Sequence, residues 1–465
     1  MIDSDLLGYY HLALRYRRHI VCPVRNNTEA CGSCVKVWFV SMIRSLVTFT
    51  VVVVVGMLLF VACVPTTLSE VSLAQEESVE AVSVLRPVES NGAADATPVP
   101  SFQEEVAETA VFLPTISSNR PVTLRYTLDR TAVPSVTYYD LTLKIFVGEV
   151  NHIAVTDANG QRLQANYDAG SGMLLVTTDT GWVDVTLTGA KDIAQAGAVE
   201  KAALKGDKQW AWSHGFDDNV HLKAAIAHFT EKGWTGSLFM IAKDVQDNRR
   251  EDWVIDAPDL RDFLAQGWAI GSHTWGHECF VENPDYRQTV LDGYNRLAAV
   301  VASSSRPDYR IVSFAAPCFD ANYHPLILQM RDAGETAVLF NESGDGFRMV
   351  VDPATSDAFV AAEKTAIAFN YDTPVGRDTR IEYELPSVLA EMDWMAANSN
   401  NSRHLWYNTL AHGGHEDAVK QVVDYLYSHY GPGGTDEVWV APSDEIYSYL
   451  LVRDKTAVTW EVVGQ

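Results

Sequence analysis

Two well-separated segments carry the side chains best suited to chemistry. Trp212-Ser213-His214-Gly215-Phe216-Asp217-Asp218-Asn219 offers adjacent carboxylates, and Ser272-His273-Thr274-Trp275-Gly276-His277 offers two imidazoles at i, i+4 spacing. A set of carboxylate and imidazole donors holds zinc and harder divalent cations while leaving positions open for water and substrate. The second carboxylate of the pair stays available as a base. An isolated Asp-Asp is weak evidence, and His-x-x-x-His occurs on many surface helices. Found together, they point to metal-assisted hydrolysis.

The surrounding elements must bring these groups to one place. Asp217-Asp218 follows a predicted strand, Lys208–Phe216. Successive strand side chains point to opposite faces, so one carboxylate meets a metal and the other the substrate side only once the chain turns. His273 and His277 share a face if a helical turn starts after Ser272. From about 205 to 456, predicted strands and helices alternate. Helices are expected over Asn219–Lys232, around Ala257–Gln266, over Tyr286–Ser303 and over Leu385–Asn398, with a short one holding Pro325 in its first turn. Strands are expected at Ser237, Trp268, Arg310–Ala315 and Thr336–Phe340. This alternation implies an α/β fold, a parallel sheet or barrel, with both motifs at strand carboxyl ends where such folds build their sites.

The remaining regions read differently. Residues 119–200 show period-two apolar runs broken by Asn159-Gly160 and Gly170-Ser171-Gly172, the pattern of a small all-β sandwich. It is an accessory domain, a spacer by default or a carbohydrate-binding module. Residues 64–118 are acid-rich, with Arg86 as their basic residue, and read as a disordered linker. Residues 45–63 are apolar and uncharged directly after Arg44, and Phe60-Val61-Ala62-Cys63 resembles a lipobox. Residues 42–63 are therefore a signal peptide with lipidation at Cys63, or an uncleaved membrane anchor. Either way the chain is expected to be extracytoplasmic and membrane-anchored. Residues 1–41, with the Cys31/Cys34 pair, read as an N-terminal extension or an over-extended start.

The chain has 60 acidic and 35 basic residues, a formal charge of −25. That balance argues against nucleic acid as a partner, since phosphate binding needs Lys and Arg. Cys279 and Cys318 fall in two site loops, and they form either a disulfide in an oxidising compartment or two buried thiols.

Residues 205–452 resemble the polysaccharide deacetylase family, also called carbohydrate esterase family 4 or the NodB homology domain. Gly215-Phe216-Asp217-Asp218 matches its Thr-Phe-Asp-Asp motif in all but the first position. His273-Thr274-Trp275-Gly276-His277 matches His-Ser/Thr-x-x-His in full, and Leu410-Ala411-His412 matches Leu-x-His. The run from Val438 to Leu450 is similar to the family's closing strand and helix. The resemblance implies a deformed (β/α) barrel over 205–456 that removes N- or O-acetyl groups from a carbohydrate polymer or oligomer. It implies a divalent metal, zinc by preference, on Asp218, His273 and His277. Asp217 would be the general base and His412 the acid for the leaving group. Backbone groups around Ala316, Pro317 and Phe319 would contribute to an oxyanion hole, with Trp275 on the substrate side.

The chain departs from the family pattern in several places. Ala315-Ala316-Pro317 has alanine where the family's Arg-x-Pro places the arginine that orients the base, and Arg310 lies too early to replace it. Asp393-Trp394 resembles the fourth motif in letters but falls in a predicted helix. Asn219 and Gly215 replace a common glycine and threonine. A non-catalytic carbohydrate-binding or structural surface protein is therefore the alternative. His214 and His415 are second-layer candidates, while His221, His324 and His404 read as surface or capping residues. Trp212 and Trp406 line a sugar groove or pack in the core.

Overall fold

The computed structural model describes residues 120–191, 198–279, 285–319, 322–342, 347–352 and 381–463. The N-terminal extension, the apolar segment ending at Cys63 and the 64–118 linker lie outside the described residues. Among the described residues, no helix is long and apolar enough to cross a membrane.

The first strands are β1 (Val122–Asp129), β2 (Leu141–Phe146), β3 (His152–Asp157), β4 (Ala165–Asp168), β5 (Met173–Thr178), β6 (Trp182–Thr188) and β7 (Val199–Lys201). Alternate residues of β1, β5 and β6 are buried, as expected of strands with one face on a core. The α/β region follows with β8 (Trp210–Asp217), α1 (Lys223–Glu231), β9 (Ser237–Met240), α2 (Ala257–Ala265), β10 (Ala269–Ser272), α3 (Tyr286–Ala302) and β11 (Ser313–Ala315). It continues with α4 (Tyr323–Asp332), β12 (Phe340–Glu342), β13 (Phe347–Val350), α5 (Ile381–Asn398), β14 (Leu405–Ala411), α6 (Glu416–His429) and β15 (Val438–Val440). The chain ends with α7 (Ser443–Lys455) and β16 (Ala457–Val463).

Two four-stranded antiparallel sheets, ordered β16-β1-β6-β3 and β4-β5-β2-β7, face each other across a shared core that includes Leu124, Tyr126, Leu143, Ile145, Val176 and Val185. The third sheet runs β12-β11-β10-β9-β8-β14-β13 and curls into an open half-barrel. Its pairings are parallel except for β13 on β14. β8 is buried at every position, as a strand covered on both faces must be. β14 follows one edge of β8 along its length, while β15 and β9 share the other in succession.

Helix α7 joins the two regions. Nearly all its residues are buried, so it shows no solvent-facing stripe. Ile446, Leu450 and Val452 belong to the same core as the strands of the two smaller sheets, and the helix also packs on β8 and β10. Its polar groups are bonded across the seam. Tyr449 donates to Ala202 O at 2.9 Å, and the buried Arg453 guanidinium donates to Ala203 O, Val351 O and Asp352 O. The residues after 456, which the sequence reading left unassigned, return to pair β16 with β1, from Thr123↔Val463 to Asp129↔Ala457.

Three expectations change locally. The helix expected from Asn219 begins at Lys223, because Asp218 (φ 71°) and His221 (φ 57°) are left-handed and incompatible with an α-helix. The strand expected from Arg310 starts only at Ser313, and the one expected at Thr336–Phe340 begins at Phe340.

Candidate metal centre

The site lies where β8, β10, β11 and β14 end. β8 stops at Asp217, and the chain turns at once through Asp218. That turn resolves the conflict between adjacent carboxylates on a strand. Asn219, buried, fastens it: its Oδ1 accepts Ile241 N–H at 2.9 Å and its carbonyl accepts Ile255 N–H at 2.7 Å.

His273 follows β10 directly. The segment to His277 is not the helical turn expected after Ser272, because Thr274 (φ 66°) and His277 (φ 61°) are both left-handed. Side-chain bonds hold it instead. Glu278 Oε2 accepts from Thr274 Oγ1 at 3.0 Å and from Gly276 N–H at 2.9 Å, and Thr274 Oγ1 accepts His277 N–H at 3.1 Å. Helix α3 presses on the same turn through Gly293, where a Cβ would lie 2.6 Å from the Thr274 carbonyl carbon. Cys318 (φ 59°) adds another left-handed residue in the turn after β11. Such backbone costs of order 1–3 kcal/mol per residue, and it collects where function over-determines geometry.

These turns bring Asp218, His273 and His277 together, with one candidate ligand atom from each lying within 4.8 Å of the others. The His273 and His277 rings stand 4.8 Å apart, centroid to centroid. His273 is 2% exposed, and its Nδ1 lies 2.8 Å from Ala315 O, an atom that can only accept. The proton is therefore on Nδ1, and the Nε2 lone pair is left over. That Nε2 is buried without a hydrogen-bond partner. Burial pushes the His273 pKa down to about 3, aided by the neighbouring His277 and His412 and opposed by the bond to Ala315. A neutral imidazole with a fixed tautomer is what a metal ligand requires. Asp217 Oδ2 stands 3.9 Å from that Nε2, but with the ring neutral the two make no ion pair.

The other expected residues fall into three groups. Those at the site include His412, which follows Ala411; Ala411 pairs with Phe216, so His412 and Asp217 leave adjacent strands side by side. Ala316, Pro317 and Phe319 follow β11, beside the strand that leads into His273. Cys279 and Cys318 are joined by a disulfide that ties the histidine loop to this turn, with Cα atoms 5.5 Å apart. Trp275, between the two histidines, is 40% exposed.

A second group packs in the core. Trp212 and Trp406 are fully buried and donate to Thr409 Oγ1 and Ser213 Oγ. His214 is also a core residue, stacked on Phe229 with Nδ1 2.8 Å from Thr409 Oγ1, and burial pushes its pKa down to about 3. Its ring lies among aromatic rings, whereas His273 faces Asp217, Asp218 and His277.

The third group lies outside the candidate metal cluster. Arg310 precedes β11 and shares backbone bonds with Thr137 Oγ1. Asp393 is on α5, where the Tyr425 and Tyr430 hydroxyls donate to it. His415 caps α6, and His404 Nδ1 lies 3.1 Å from Asp352 Oδ1. Glu278, which sequence reasoning passed over, and Asn219, which it met only as a departure from the family's glycine, hold the turns that carry the candidate ligands. Their one sequence signal is a polar side chain next to a ligand.

No protein-family model and no curated protein matches the chain. Similar solved structures include a putative polysaccharide deacetylase from Mycobacterium smegmatis, at 14% identity and a TM-score of 0.35 over 52% of this chain and 90% of that one. Peptidoglycan deacetylase PdaC from Bacillus subtilis is similar at 13% identity and a TM-score of 0.29, over 52% and 91%. Puue allantoinase is similar at 11% identity and a TM-score of 0.34, over 53% and 92%. At these identities and scores the chemistry has to be argued from the site itself.

Proposed function

We propose that this chain is a divalent-metal-dependent hydrolase that removes N- or O-acetyl groups from a carbohydrate. The observation that carries the reading is the Asp218/His273/His277 cluster, with the unpartnered, deprotonated Nε2 of His273 buried inside it and a separate buried carboxylate, Asp217, alongside. One carboxylate and two imidazoles suit zinc first, and leave open positions for water and substrate. When bound, the ion would polarise the acetyl carbonyl and ease deprotonation of a water.

The chain's own groups supply the rest. Asp217 takes the proton of the water that adds to the carbonyl carbon. His412, on the neighbouring strand end, gives a proton to the departing amine or alkoxide as the C–N or C–O bond breaks. Backbone N–H groups of the turn after Ala315 favour the oxygen that gains charge in the addition. Alanine stands at 315, where the resembled family has the arginine that orients the base, and this departure favours a second reading, a carbohydrate-binding protein that keeps the centre without turnover. For location we propose the extracytoplasmic face, with anchoring through Cys63 or the uncleaved 42–63 segment; the Cys279–Cys318 bond suits an oxidising compartment.

The test is metal analysis coupled to acetate release from N-acetylglucosamine oligomers, acetylxylan and peptidoglycan. Stoichiometric metal with acetate release supports the deacetylase. Metal without acetate from any of them supports the second reading.

A further inference from the structure

We infer that Trp253, stacked on His221, is a platform for a sugar ring displaced from the reacting one. The inference builds on the carbohydrate reading above, and begins from an anomaly of burial. Among the described residues, the exposed large hydrophobic side chains are Trp253, at 46%, and Trp275, at 40%. Both are on segments tied to those that carry Asp218, His273 and His277. Trp275 lies between the two histidines, and Trp253 is bound to the turn that carries Asp217 and Asp218. His221 N–H donates to Trp253 O at 2.7 Å, Val254 bridges Val220, and Ile255 N–H donates to Asn219 O. The loop that bears His412 lies against the same place, since a Cβ on Gly413 would fall 1.8 Å from Val220 O.

The platform is built in advance. The Trp253 and His221 rings are stacked, with centroids 5.0 Å apart and planes 15° from parallel. His221 holds a left-handed backbone, although it is exposed and fills no core position. The Trp253 loop is clamped by Arg250, which donates to Asp256 Oδ1 and to Asp244 O, and by Gln246 N–H on Asp256 Oδ1. Ordering a loop before binding removes that entropic cost from the binding step. A half-exposed indole, fixed with one face on an imidazole, has its remaining surface for a ligand. The C–H groups on a pyranose face carry partial positive charge and suit the negative face of an aromatic ring. Two such tryptophans, on loops joined to the segments that carry Asp218, His273 and His277, suit a ligand longer than one sugar. The chain's formal charge of −25 favours an uncharged or amine-bearing polymer over a polyanion.

Calorimetric titration tests this directly, using wild-type protein, Trp253→Ala and Trp253→Phe. The probes are N-acetylglucosamine, xylose and their β-1,4-linked hexamers. At least one hexamer should bind about tenfold tighter than its monomer, roughly 1.4 kcal/mol. Trp253→Ala should erase most of that difference without changing monomer binding, and Trp253→Phe should keep it. Hexamers that bind no tighter than monomers, or that bind Trp253→Ala as they bind wild type, overturn the inference. Acetate release is scored separately, from the N-acetylglucosamine hexamer and from acetylated xylose oligomers, since unmodified xylose oligomers have no acetyl group to lose. Trp253-dependent hexamer binding without acetate release retains the platform and removes the deacetylase reading. Acetate release from hexamers at unchanged kcat/KM in Trp253→Ala does the reverse.

Discussion

Asp217 and Asp444 are both buried carboxylates, 2% and 0% exposed, and the fold treats them in opposite ways. Asp444 sits in the first turn of α7, within the seam. Tyr309 O–H donates to its Oδ2 at 2.7 Å, and burial pushes its pKa up to about 7. Asp217 ends β8 beside the unpartnered nitrogen of His273 and the rest of the candidate metal cluster. A buried carboxylate must give up its charge or find an opposite one. The seam takes the first course, with one Asp444 oxygen bonded to Tyr309 and the other buried without a partner. The strand-end site, in the proposed reading, takes the second and keeps room for a cation. Fixing two regions together and doing chemistry thus call for different uses of the same group.

The largest effects should come from the strand-end carboxylate and its neighbours. His273→Ala removes a ligand outright, and metal content and turnover should both vanish. Asp217→Asn should leave metal bound and lower kcat by roughly 10²–10⁴-fold, the range expected for a lost general base. Its melting temperature should hold or rise, because a buried charge has been removed. Wild-type turnover in Asp217→Asn would end the contrast, since Asp217 would then be as structural as Asp444.

Asp444→Asn should show the opposite pattern, with turnover kept and the pH dependence of stability changed. The folded-state pKa of Asp444, about 7, lies above the carboxylate's ordinary 3.8. Its contribution to stability is therefore complete below about pH 4 and is lost as pH rises through 7. At about 1.4 kcal/mol per pKa unit the loss is of the order of 4 kcal/mol. Denaturant unfolding from pH 4 to 8 should show this decline in wild type and a flatter profile in Asp444→Asn. Parallel profiles would mean that the seam does not hold Asp444 protonated.

The sequence showed the two regions unequally, for physical reasons. β8 was legible from the large apolar residues of Lys208–Phe216 ahead of the acidic pair, and the candidate ligands were legible because their types and spacing are unusual. The left-handed turns at Asp218, Thr274 and His277 were not legible, since nothing in those side chains announces a positive φ. Helix α7 was placed, but its role as a seam was not. Burial on all sides erases the amphipathic pattern that would show which face meets which neighbour, and β16 pairs with β1 across almost the whole described chain. Trp253 escaped notice because a loop tryptophan becomes informative only when its exposure is known.

A smaller effect probes how the open site stays open. Glu278 does not belong to the cluster, yet its Oε2 accepts from both Thr274 and Gly276 in the turn that carries His273 and His277. Acting through that turn, it is a positioning residue. Glu278→Ala should weaken metal binding by roughly 10–100-fold, as loss of outer partners usually does. Glu278→Gln keeps an accepting oxygen and should recover most of the affinity. Competition with a chelator of known affinity measures this, and the melting temperature should barely move because Glu278 is only half-buried. Wild-type affinity in Glu278→Ala would transfer the task to the backbone around the turn. Trp275 N–H on Thr289 O, Ala242 N–H on Thr274 O and Lys243 N–H on Trp275 O would then suffice. The open site would in that case be held the way the seam is, by bonds from packed elements, and the contrast would narrow to what the two carboxylates face.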